Sequence, residues 1–264
     1  MVTLRKDGKK KKKSLLERYW PAVTMFVVLV GLLWVGSLYF DEFIFPGPLK
    51  IWDAILEILG NEGPQILLTL GRFLLALLSA IVAGWLVGLL MGAFRNVFGR
   101  LVQPFISVIQ AIPSLSWVLL VILWFSQVEL RIWFVTFILA FPFFVIAVYE
   151  GIRDMDKDVL EAVEQFRPTK MQVLTKLLAP QSFVNLITVL RSTSAMTLKI
   201  MIFVELLGAS NGIGQRMGLA QSSFRIDLIF GWTVILIVAN FLLLKVIGLI
   251  EGKLLSWRSE AVVR

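Results

Sequence analysis

The sequence predicts an all-α integral membrane protein with six transmembrane helices, and three observations carry that prediction. Hydrophobic residues make up 58% of the 264 residues and charged ones only 17%, a composition far greasier than that of a soluble domain. Uncharged or nearly uncharged runs recur along the chain, each of about 20 residues or more, enough at about 1.5 Å per residue to cross roughly 30 Å of hydrocarbon. Charge gathers in the breaks between those runs and at the two ends, the fifth run being the main exception.

The same composition excludes several function classes. There is no Cys and no His, so thiol nucleophiles, disulfides, imidazole bases and most transition-metal sites are ruled out. No catalytic residue, no metal site and no cofactor is expected. The formal net charge is +8, and eight of the cations fall in the first 20 residues against two acids. A basic tail beside a membrane span reads as a cytoplasmic anchor facing anionic lipid, not as a nucleic-acid arm.

Residues 1–20 form that tail and end on Tyr19-Trp20, an aromatic pair suited to the headgroup level. Residues 21–40 are the first expected span. They are too long for a signal-peptide core and lack its small-residue cleavage site. Residues 41–64 carry Pro46, Pro48 and five acids against one Lys, which predicts a loop on the membrane surface with a short helix from Leu49 to Leu59. Together, 21–64 make a first helix with an outer loop. The main transmembrane body follows over 65–250, with spans at 66–92, 101–125, 131–150, 184–207 and 228–250, and 251–264 is a second cytoplasmic tail.

The second span holds Gly84, Gly88 and Gly92 at four-residue spacing. Small residues on one stripe let helix backbones approach, so this span is expected to pack against another helix. Arg72 near its outer end reads as a snorkelling or paired residue. The third span carries Pro104 and Pro113 and the fourth Pro142. Interior prolines free backbone carbonyls that only protein surroundings or a lined cavity can satisfy.

Between the fourth and fifth spans lies a charged insert, 151–181, that cannot sit in hydrocarbon. Asp158 and Glu161 have capping-box spacing, and Val159, Leu160, Val163 and Phe166 recur at helical spacing. Arg167 precedes Pro168 and is pushed out of the α region, which ends the first short helix. Pro168 is expected to open a second helix with Met171, Leu174, Leu177 and Leu178 on its apolar stripe, and Pro180 to close it. A solvated amphipathic loop and a docking element both fit this pattern.

The fifth span is the most polar. Arg191, Ser192, Thr193, Ser194, Thr197, Lys199 and Glu205 cannot all face lipid, because a Lys near mid-membrane costs about 2.5–3.5 kcal/mol. Arg191, Ser194, Thr197, Lys199 and Glu205 are therefore candidate residues of a translocation path. The alternative is that Lys199 and Glu205 are held in structural ion pairs. With the N-terminus inside, inner segments hold 18 Lys plus Arg and outer segments four. That asymmetry puts both termini and the insert in the cytoplasm.

GASNGIG (208–214) has a GxxxGxG spacing, but it lies on the outer side and lacks the Lys-Ser/Thr of a phosphate-binding loop. No GxxxxGK[ST] occurs anywhere, so any ATP hydrolysis belongs to another chain. The only close acid group is that of Asp154, Asp156, Asp158, Glu161 and Glu164, interleaved with Arg153 and Lys157. It does not suit an intramembrane enzyme. A non-transporting membrane scaffold subunit is the remaining rival class.

Several stretches resemble the membrane permease subunits of bacterial ABC importers that use a solute-binding protein. The insert keeps the register of that family's cytoplasmic signature over 20 residues: Glu161, Ala162 and Val163 at its Glu-Ala-Ala start, Arg167 where the family has Gly, and Ala179-Pro180 at its Leu-Pro end. IPSLSWVLLVILWF (112–125), FPFF followed by EGIRDMD (141–156), and VELLGASNGIG (204–214) are similar to the branch for nitrate, sulfonates and taurine, which also includes permeases for pyrimidine-type vitamin precursors. The resemblance implies that Glu161, Ala162, Gln165, Phe166, Arg167 and Pro168 contact a cytoplasmic ATP-binding subunit. It further implies a solute-binding protein on the outer side, pairing with a second permease copy, and a place in the bacterial inner membrane.

Overall fold

The computed structural model describes residues 15–41, 43–155 and 157–254. Most of the basic tail, most of the C-terminal tail and Asp156 lie outside the described residues. Among those described there are helices and turns but no strand. The helices are α1 (Leu15–Tyr39), α2 (Pro48–Asn61), α3 (Gly63–Ala93), α4 (Arg100–Ala111), α5 (Ser114–Trp124), α6 (Val128–Arg153), α7 (Lys157–Glu164), α8 (Lys170–Val173), α9 (Ala179–Gly208), α10 (Ile213–Ser222) and α11 (Ile226–Leu254). Single π-helical turns at Arg95–Gly99 and Leu174–Leu178 precede α4 and α9.

Four helical runs are long and apolar enough to cross a membrane: α3, α6, Met171–Gly208 and α11. The pair α4 and α5 meets the same test together, bent by 96° at its break, and makes a fifth. In α1 the apolar stretch is Val23–Tyr39. The fold is thus an all-helical membrane body of four to five apolar spans.

The body is built around α3, α6 and α9. Apolar burial between helices brings little gain where the surrounding solvent is itself apolar, so close backbone approach and packing hold such helices together. The glycine stripe of α3 provides that approach, and its partner is α6. A Cβ added at Gly84 would stand 2.5 Å from Phe144 Cβ, one at Gly88 2.6 Å from the Val145 carbonyl, and one at Gly92 2.6 Å from Ile152 Cδ1. Phe73, Ala76, Leu77 and Ala80 of α3 join Val118 and Val121 of α5, Ile132, Val135 and Phe144 of α6, and Met201 and Val204 of α9 in one buried core. Near the start of α9, Trp85 Nε1 donates to Ser182 Oγ at 3.0 Å and ties α3 to α9. Between α1 and α3, α2 forms as the sequence predicts and lays Ala54 and Ile58 against Gly231 of α11.

Two expectations need correction, both at prolines. The third span is a broken pair, not one kinked helix. Ile112 before Pro113 is extended (ψ 124°), as steric clash with a following proline ring requires, and the Pro113 carbonyl starts α5 by accepting from the amides of Ser116 and Trp117. Pro180 does not close a helix. It sits in the first turn of α9, directly after the π turn at Leu174–Leu178. A π turn adds a residue to the helical repeat and so absorbs the hydrogen bond that a proline removes. The second helix of the insert is therefore the N-terminal part of the fifth span.

Candidate functional site

The charged element begins after α6. Arg153 Nε donates to Asp154 Oδ1 at 2.8 Å, and this bond holds the Asp154 carboxyl below the usual carboxylate range. Asp158 lies in the first turn of α7, one residue inside the helix, where a carboxylate favours the helix dipole. Glu161, Ala162 and Gln165 are exposed, and Phe166 is 86% exposed. Arg167 then adopts φ +45°. This is the left-handed region that Gly enters without cost and other residues enter at about 1–2 kcal/mol.

The break at Arg167-Pro168 is thus made with the backbone conformation that a Gly would supply. The extended geometry expected for a residue before proline is overridden. Pro168 does not open α8; Thr169 does. The Thr169 amide donates to Gln172 Oε1 at 2.8 Å and the Gln172 amide donates to Thr169 Oγ1 at 3.3 Å, a reciprocal capping box three residues long. Arg167, Pro168, Met171 and Leu174 then line a cleft of about 480 Å³ with Ala93 and Phe94 from the C-terminal end of α3.

The five candidate path residues fall on two faces of α9. Ser194, Thr197 and Glu205 are buried against the chain's own helices. Thr197 Oγ1 donates to the Thr193 carbonyl at 2.7 Å, whereas Ser194 Oγ has no partner among the described residues. Arg191 and Lys199 are exposed on the single chain. Arg191 lies over Gly248 of α11, where an added Cβ would stand 3.2 Å from Nη2. Lys199 shares its exposed stripe with Thr188, Ser192, Met196 and Phe203 and makes no ion pair with a described residue.

The C-terminal end of α9 is held by a buried polar network that connects α3, α6, α9 and α10 with the 209–212 loop. Glu205 is fully buried. Its carboxylate accepts from Arg72 Nη1 at 2.8 Å, from Thr69 Oγ1 at 2.8 and 2.9 Å, and from the Gly214 amide at 3.0 Å. Arg72 in turn donates Nε to Glu129 Oε2 at 2.8 Å, Nη2 to Glu129 Oε1, Nη2 to Asn211 Oδ1 at 2.6 Å, and Nη1 to the Asn211 carbonyl at 3.0 Å. The amides of Gly212 and Ile213 are taken by Gln65 Oε1 at 2.7 Å and Thr69 Oγ1 at 2.9 Å. Gly212 has φ +105°, and a Cβ there would stand 2.4 Å from Glu205 Oε1.

Arg72 is paired, as expected, and Glu205 is its partner. The sequence marks Arg72 and Glu205 as out of place in hydrocarbon, but nothing local links positions 133 apart. Thr69, Gln65, Glu129 and Asn211 carry no signal beyond lying near span ends. Just beyond α10, Phe224 is also left-handed (φ 55°), and its ring stacks on Phe43 at 5.9 Å. Arg225 bridges Asp227 and Glu57 at 2.8 Å each.

Comparison with known proteins places this arrangement. The Escherichia coli (strain K12) taurine transport system permease protein TauC is 23% identical over 248 residues, covering 90% of each chain. The Bacillus subtilis (strain 168) protein SsuC, named for aliphatic sulfonate transport, is 24% identical over 257 residues, covering 95% of this chain and 92% of its own. A structure of the MetNI methionine ABC transporter superposes with a TM-score of 0.61 at 19% identity, over 70% of this chain and 92% of that one, so the fold is shared. The family model for the binding-protein-dependent transport system inner membrane component matches residues 80–256, most of the helical body and both candidate elements. The chain belongs to that family: it is a multi-pass inner-membrane subunit of an ABC importer, a transport protein whose ATP hydrolysis sits on separate subunits.

Proposed function

We propose that the protein forms the path for a small organic sulfonate, taurine being the first candidate, as a homodimer whose two α9 helices face each other. The observation that carries this reading is Lys199. It lies on the face of α9 that the chain's own helices leave uncovered, without an ion pair to a described residue. A bare ammonium facing lipid costs about 2.5–3.5 kcal/mol. A watery path between two copies removes that cost and offers a cation to a passing sulfonate. The names of TauC and SsuC support the solute class. Uptake of radiolabelled taurine by cells carrying the importer tests the reading. Lys199→Met is expected to cut uptake at least tenfold with membrane levels unchanged, and full uptake by that variant removes Lys199 from the path.

In this reading α1 is the sixth span and both termini are cytoplasmic, as the Lys and Arg asymmetry supports. The domain boundaries at residues 20, 64 and 250 follow from that topology. The α10–α11 turn is then outside, so a Cys introduced at the exposed Ser222 should react with a membrane-impermeant maleimide added to intact cells. Labelling only after the cells are opened reverses the topology. A solute-binding protein docks on the outer face, and cytoplasmic ATP-binding subunits grip the 151–181 loop through Glu161, Ala162, Gln165, Phe166, Arg167 and Pro168. Arg191, Ser194, Thr197 and Glu205 act with Lys199. Arg191 flanks the path from the α9–α11 seam, whereas Ser194, Thr197 and Glu205 act from behind it by fixing how α9 sits.

A further inference from the structure

At about 100° per residue, α4 has three distinct faces. Val102, Ile106 and Ile109 turn toward the chain's own α3 and α6. Leu101, Phe105 and Val108 form an exposed apolar face suited to lipid. On the opposite flank Gln103, Ser107 and Gln110 recur at four- and three-residue spacing, all exposed, and Ser114 follows just beyond the 96° break. Ser107 Oγ donates to the Gln103 carbonyl at 3.1 Å, but neither glutamine amide bonds to a described residue.

Two open amides within an apolar span require a partner, since an unsatisfied amide in hydrocarbon costs several kcal/mol. Water, a solute or another helix meets that need. The break decides between them. Irregular backbone at membrane depth is tolerated where it is buried in protein or lines a water-filled cavity, and Ser114 and Ala111 at this break are exposed on the single chain. Beyond the break α5 runs to the outer end of α9, where Ile122 Cδ1 lies 3.7 Å from the position of a Cβ on Gly208. The polar flank thus lies on the first half of a broken pair whose second half, α5, adjoins the α9 helix that carries Lys199.

We propose that Gln103, Ser107, Gln110 and Ser114 form a second, uncharged wall of the solute path, donating hydrogen bonds to the oxygens of a small oxyanion as it passes. This rests on the importer reading above. Each glutamine brings two N–H donors and one acceptor, Ser114 brings one donor, and Ser107 donates once its hydroxyl turns from the Gln103 carbonyl. The wall can thus hand an oxyanion along without the tight hold of a second cation.

The absence of Cys makes single-cysteine reporters direct. In cells carrying the complete importer, Gln103→Cys, Ser107→Cys and Gln110→Cys are expected to react with a charged methanethiosulfonate reagent at least tenfold faster than Phe105→Cys and Val108→Cys, and millimolar taurine, methanesulfonate or nitrate should slow the polar-flank reactions. A polar flank no more reactive than the apolar one overturns the proposal even if Lys199→Cys still reacts and taurine is still imported, so its failure is separable from that of the importer reading. Water access that none of the three anions slows overturns the solute contact. Gln110→Leu, which keeps the volume and removes the donors, should lower uptake at least tenfold, and unchanged uptake counts against the wall.

Discussion

Glu205→Ala should lower the stability of the protein in detergent by about 3 kcal/mol, at the low end of what breaking a buried ion pair costs. The change removes the acceptor for Arg72 Nη1, for Thr69 Oγ1 and for the Gly214 amide at once. It leaves a guanidinium that is 7% exposed. Glu129 still holds Nε and Nη2, and that residual pairing keeps the loss from the top of the range. Denaturant or thermal midpoints of the purified protein measure it, with limited proteolysis of the 209–212 loop as a local reading. Gly212→Ala should act at the same place from the other side, because its Cβ enters the space of the carboxylate and its φ of +105° suits only Gly. The double variant Arg72→Met with Glu205→Leu should recover much of the loss, since matched apolar replacement of a buried pair is often near neutral. A Glu205→Ala protein within 1 kcal/mol of the parent would show that the network is not what holds the loop.

How much of this was legible in the sequence depends on the range over which each signal acts. Hydropathy is summed along the chain, so the positions of α3, α6, α9 and α11 were visible, and the glycine stripe of α3 announced a close helix neighbour without naming α6. The partner of Arg72 was not visible, because Glu205 is separated from it by five helices along the chain and meets it only when α3 and α9 pack. The prolines were legible as places of disturbance but not as to kind. At Pro113 the chain breaks, whereas at Pro180 a π turn upstream takes up the missing hydrogen bond, and this choice is made by packing on both sides of the helix. The two faces of α9 were likewise hidden. The list of polar residues is one-dimensional, and the helix sorts Ser194, Thr197 and Glu205 inward and Arg191 and Lys199 outward. At Arg167 the family signature was the better guide, since the left-handed φ is what a Gly at that position would supply.

Phe166→Ala should reduce both co-purification of the ATP-binding subunits and taurine uptake by at least tenfold. One exposed aromatic on a protein surface is ordinarily unremarked. Phe166 differs in standing 86% exposed beside a residue in a costly conformation, the φ +45° of Arg167, and such strain persists where the surroundings impose it for a purpose. The bend turns the chain between the end of α7 and the Thr169 cap, so it sets the direction in which Phe166 is presented. An aromatic anchor aimed into a pocket of the partner is the kind of residue that dominates binding energy. Separating the aim from the charge takes two further variants. Arg167→Gly adopts the left-handed φ at no cost, should stabilise the bend by about 1 kcal/mol, and should keep at least half of the uptake. Arg167→Val is β-branched and is excluded from that region, so it should lose coupling nearly as completely as Phe166→Ala. If the Val and Gly variants transport equally well, the left-handed turn does not aim Phe166, and the contact with the ATP-binding subunit must be carried by the α7 face of Glu161, Ala162 and Gln165 alone.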